Sequence, residues 1–208
     1  MAVYRLRKVW PEYRGRVCIG FRALALELKN GRSTPKPVVD VEIPLMKQQE
    51  PELPIAPWSA PEWQYVPTLL PAFEAEKAAA KQGHDAAWEF AWHVRHAFFA
   101  QSRTICMRFE LAKIAGEAGL DVDRFLTDWD SGQMRALVEA ESRHGWEGLQ
   151  VPGSPTFVLP SGKQVGNPGG AKVKWGPNHE VLDMQPADCP EGDCLQVFRD
   201  LLEEAIRG

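Results

Sequence analysis

The residues best placed by type and spacing to do chemistry are the two cysteines of CPEGDC, Cys189 and Cys194. They flank Pro190 and Gly192, turn-forming residues that let a short loop bring two sulfurs within bonding reach. Cys194 also opens a stretch of helical periodicity, and the dipole at a helix N-terminus favours thiolate there. Such a pair suits reversible thiol–disulfide chemistry; the competing reading is two incidental thiols or a static cross-link. No general base stands nearby in the sequence.

The other candidates are weaker. Cys18 and Cys106 belong to no Cys-x-x-Cys pair, so no zinc set is assembled and no metal is expected. Cys18 reads as a small core hydrophobe and Cys106, near a helix start, as a buried thiol. His93 and His96 share a helix face without a carboxylate to complete a ligand set. VGNPGG lacks the spacing and the Lys-Ser/Thr of a phosphate loop and reads as a turn.

Composition removes whole classes of partner. The 208 residues carry a net charge of −4 with scattered Lys and Arg, which offers no basic face for nucleic acid. No apolar run approaches the roughly 20 residues of a membrane span, and the charged opening MAVYRLRKVW is unlike a signal peptide, so the expected compartment is the cytoplasm.

Elements must position these residues. Val3, Leu6, Val9, Trp10 and Tyr13 repeat at helical spacing, with Arg5, Arg7 and Lys8 assigned to the opposite side. The run VCIGFRALALEL, residues 17–28, predicts a strand buried on both faces. Nine of the seventeen prolines fall between residues 31 and 71, which predicts an extended wrapping arm, anchored by Leu53, Ile55, Trp58 and Trp63. From Pro71 the pattern turns helical, with helices over 71–83, 84–101, 109–118, 123–129 and 132–144. The second of these carries an apolar stripe from Ala87 to Phe98 and another of Trp88, Trp92 and Phe99. Strand character returns at TFVLP, and PSGK supplies a hairpin turn into QVG. A last helix carries Leu195, Phe198, Leu201, Leu202 and Ile206, with Asp193 and Gln196 spaced as a capping box.

Helix, strand, helical block, hairpin, helix is the order of an α/β thioredoxin-like fold with a large α-helical insertion and no first β-strand. The chain resembles the DsbA-like thioredoxin superfamily, in the branch of FrnE-type oxidoreductases and 2-hydroxychromene-2-carboxylate isomerases. IAGEAGLDVDRF (114–125) is similar to the insertion of that family, VPGSPTFVL to its GVPTFV segment, and YRLRKVWPEY to the helix after its Cys-Pro-x-Cys. The implied division is a core of residues 1–40 and 150–208, a Pro-rich arm of 41–70 and a helical insertion of 71–149.

The resemblance implies a cis Ser154–Pro155 bond and a substrate edge formed by Ser154, Pro155 and Thr156, with Trp88 and Trp92 offered to an apolar substrate. It also places the primary nucleophile before the first helix, where this sequence has no cysteine. Either Met1 is an internal methionine of a longer protein or the chain is a relative without that motif, and a sheet short of its inner strand would favour a homodimer. The resemblance admits three functions. One is a thiol–disulfide oxidoreductase acting on protein or small-molecule thiols and disulfides without a cofactor, with Cys189 and Cys194 as a possible relay. The second is a glutathione-dependent isomerase, with glutathione as its cofactor. The third is a noncatalytic peptide-binding module.

Overall fold

A computed structural model describes residues 1–178 and 180–208. The chain divides into two compact units, one of residues 1–19, 44–53 and 151–208, the other of residues 20–43 and 54–150.

In the first unit, helix α1 (Ala2–Tyr13) packs along the C-terminal helix α9 (Cys194–Arg207). Most of the apolar stripes foreseen for both is buried, Leu6, Val9, Trp10 and Tyr13 from α1 and Phe198, Leu201 and Leu202 from α9, whereas Val3 and Leu195 are half-buried and Ile206 is exposed. Arg199 to Glu12 (2.9 Å) and Arg16 to Glu203 (3.3 Å) tie the rim. Two antiparallel hairpins complete the unit. Strand β1 (Thr156–Val158) pairs with β2 (Gln164–Gly166), and Phe157 packs edge-on to Phe198 at 6.0 Å. Strand β3 (Lys172–Trp175) pairs with β4 (Val181–Gln185) with a register shift at Lys174 and Trp175.

The second unit is helical. Helices α4 (Leu70–Ala80), α5 (His84–Gln101), α6 (Arg108–Glu117), α7 (Val122–Asp130) and α8 (Gln133–Arg143) keep the expected boundaries to within a turn. Alanines 72, 75, 78 and 79 of α4 let the neighbouring helices approach closely, and Phe90, Phe125, Leu111, Ile114 and Met134 fill the core.

Five expectations are corrected. Residues 17–25 form no strand beyond an isolated bridge of Val17 to Arg14; the chain runs extended into a short helix α2 (Leu26–Asn30) ending at Gly31 in the left-handed region, φ 69°. Side chains replace the missing ladder. Ala23 N donates to Glu141 Oε2 at 2.7 Å, Ala25 N donates to Ser142 Oγ at 3.1 Å, and Lys77 Nζ donates to the Phe21 carbonyl at 2.8 Å. Cys18 is consequently exposed and no core residue.

The Pro-rich region is regular in part, because helix α3 spans Lys36–Gln49. Pro37 occupies its first turn, where an N–H has no intrahelical partner anyway, and only Pro44 removes an internal bond. Beyond it the chain is extended, with Trp58 packed on Tyr65 and Phe98, whereas Trp63 is 81% exposed and anchors nothing. The fifth correction concerns Arg5, which lies on the buried face of α1, at 2% exposure, and not opposite it.

Candidate functional site

Cys189 and Cys194 are joined as a disulfide, Cα to Cα 4.7 Å. The loop between them closes because Glu191 (φ 50°) and Gly192 (φ 81°) both take left-handed backbone, while Gly192 N donates to Cys189 O at 3.0 Å and Asp193 N to Pro190 O at 2.8 Å. Left-handed backbone suits Gly192 and costs Glu191 on the order of 1 kcal/mol. Both cysteines are half-buried. Cys194 is the first residue of α9, and Asp193 caps the helix by accepting from Leu195 N at 2.8 Å. The reciprocal half of the capping box is absent, since the Gln196 side chain donates instead to Asp200 at 2.7 Å.

The sulfur of Cys194 therefore meets opposing fields. The helix N-terminus favours thiolate, and the carboxylate of the preceding Asp193, partly neutralised by Arg199 at 3.3 Å, disfavours it.

The Ser154–Pro155 peptide bond is cis. Thr156 Oγ1 donates to Gly153 O at 2.6 Å, and Asn167 N donates to the Pro155 carbonyl at 2.8 Å. From Asn167 the turn continues to Gly169, which lies against Cys194: a methyl group on its Cα would stand 3.5 Å from Cys194 O and 3.6 Å from Cys194 Cβ. The turn read from GNPGG is thus the physical link between the strand of Pro155 and the disulfide.

Behind this turn lies Arg5, which its charge alone would assign to solvent. Its Nε donates to Glu50 Oε2 at 2.7 Å, Nη2 to Gln49 O at 3.2 Å, and Nη1 to Gly169 O. Gln49 Oε1 also accepts from Ala171 N at 2.7 Å. The signal was present: Arg5 falls three residues after Ala2 and four before Val9, on the apolar stripe.

The remaining candidates sit elsewhere. Trp88 and Trp92 belong to the helical unit. Trp88 is buried and stacks on Phe21 at 5.6 Å, and Trp92 is half-buried against the His96 ring. His93 Nδ1 lies 2.8 Å from Glu89 O. Burial pushes the Cys106 thiol up from its ordinary value, which keeps it protonated. Among the described residues, no group of three or more His, Cys, Asp or Glu could hold a metal ion, and no helix is long and apolar enough to cross a membrane.

A thioredoxin family model matches residues 15–174. The chain belongs to the thioredoxin family. The matched span includes the helical unit and the Pro155 hairpin and stops before β4, so this thioredoxin-family protein carries its disulfide outside the matched segment. No curated protein matches the sequence.

Proposed function

We propose that the protein is a DsbA-type thiol–disulfide oxidoreductase in which Cys189 and Cys194 exchange electrons with protein or small-molecule thiols. The observation that carries this reading is a half-buried disulfide at a helix N-terminus, joined by the 167–170 turn to Pro155 at the entrance of β1.

In the proposed reaction an incoming thiolate attacks Cys189 Sγ and Cys194 leaves as thiolate, the better leaving group at the helix N-terminus. A second thiol of the substrate then attacks the mixed disulfide and releases Cys189. The substrate loses two electrons and two protons and gains a disulfide; the protein gains two thiols. The extended edge at Ser154, Pro155 and Thr156 is the proposed seat of the substrate chain. The reading needs no bound cofactor, and it fits a cytoplasmic protein whose disulfide turns over against the thiol pool.

The test is a dithiol peptide mixed with the oxidised protein, with products resolved by chromatography and mass. One peptide disulfide should form per two protein thiols gained, in wild type but not in C189S or C194S. Peptide oxidation at the protein-free rate contradicts the reading.

A further inference from the structure

Arg5 is a buried cation whose placement the family match does not explain, since the match begins at residue 15. Two contacts converge on one point in space. A methyl group on Gly169 would stand 3.1 Å from Arg5 Nη1 and 3.6 Å from Cys194 Cβ. Arg5 Nη1 and Cys194 Cβ thus both pack against the same side of Gly169, whose φ of 64° is a backbone conformation that favours glycine. Glu50 takes the Nε side of the fork at 2.7 Å, while Nη1 donates to the carbonyl of Gly169, the residue packed against Cys194.

We propose that Arg5 is a positioning residue for the redox pair: through Gly169 it fixes the loop against Cys194, and its charge favours the Cys194 thiolate and hence the reduced form. The inference rests on the proposed exchange at Cys189 and Cys194. The equilibrium concerned is protein dithiol plus glutathione disulfide giving protein disulfide plus two glutathione thiols. A cation beside the thiolate moves it toward dithiol, and the carboxylate of Glu50 partly offsets that.

The opposed charges give a signed test. Wild type, R5M, R5K and E50Q, in the full chain, are equilibrated in glutathione buffers, alkylated, and read by intact mass, with thermal melts to verify folding. R5M should need about three- to tenfold more reducing buffer for half-reduction, R5K should stay within about twofold of wild type, and E50Q should shift in the opposite direction by about threefold or more. E50Q keeps a hydrogen-bond acceptor for Arg5 and carries the test if R5M does not fold. Wild type that resists every buffer overturns the exchange reading itself. Wild type that exchanges, with E50Q unchanged or moved in the direction of R5M, overturns the role of Arg5 alone.

Discussion

At the scale of single residues, the chemistry turns on which sulfur carries the charge. Cys194 stands at a helix N-terminus and packs against Gly169, as Arg5 does, whereas Cys189 precedes the loop. In C189S, the free Cys194 should be alkylated by iodoacetamide at neutral pH faster than Cys189 in C194S, by about threefold or more. Equal rates would remove the reason for making Cys194 the leaving group. Gly169 is the second residue with a specific expectation. Its positive φ strains any side chain, and a methyl group there would crowd Arg5 Nη1 at 3.1 Å, so Gly169→Ala should lower stability by about 1–2 kcal/mol in a denaturant titration. Arg5 itself was legible as a helix position but not as a functional one. A charged residue on an apolar stripe is usually read as facing solvent, and only the partners Glu50, Gln49 and Gly169, distant in sequence, make its burial tolerable.

At the scale of elements, two attachments have consequences. Asp193 caps α9 and sits beside Cys194, so Asp193→Ala should cost about 1 kcal/mol of stability and also ease reduction of the pair, read by melting and by glutathione titration. The segment of residues 21–25 is held by the half-buried Glu141 and the buried Lys77, 2.6 Å apart. Burial pushes the Glu141 carboxyl up, but the Lys77 ammonium and the Ala23 N–H more than offset this and hold it below the usual carboxylate range. Its contribution is therefore complete above about pH 4.3, the ordinary glutamate value, and is lost as pH falls through the lower folded value. Amide exchange at Ala23 should stay slow down to that range and accelerate below it; Glu141→Gln should accelerate it at neutral pH and destabilise the protein by about 3 kcal/mol, leaving the Lys77 ammonium without its counter-charge.

The same segment shows why some elements were illegible. An apolar run with alternating alanines reads equally as a buried strand or as a chain pinned by side chains from α4 and α8, and no local signal separates the two. Helices α4 to α8 were legible because their apolar residues repeat every three to four positions over whole turns. Helix α3 was hidden by counting prolines without asking which turn each occupies, and β3 with β4 by their shortness, since the alternation of KVKW lasts only four residues and VLDMQ has none.

At the scale of the whole molecule, a disulfide that closes so short a loop contributes little by chain entropy, about 2 kcal/mol. Reduction of Cys189–Cys194 should therefore lower the melting temperature by a few degrees and leave the helical circular dichroism of the native protein unchanged. Global unfolding on reduction would assign the pair a structural role. Membership of the thioredoxin family accounts for residues 15–174, whereas the proposed redox chemistry lies C-terminal to that span, bound back to Pro155 by the 167–170 turn and to α1 by Arg5. The cysteine pair and the Pro155 hairpin were visible in the sequence as separate motifs; their connection through a glycine turn is a property of the folded chain.

The most direct measurement of the central claim is a redox titration of the native, full-length protein in glutathione buffers, quenched by alkylation and read by intact mass. A working redox pair requires Cys189 and Cys194 to gain or lose two alkyl groups together, around one midpoint, while the protein remains folded. A pair that stays oxidised in every native buffer and reduces only after denaturation would be a static cross-link, and would contradict the exchange reaction proposed for it.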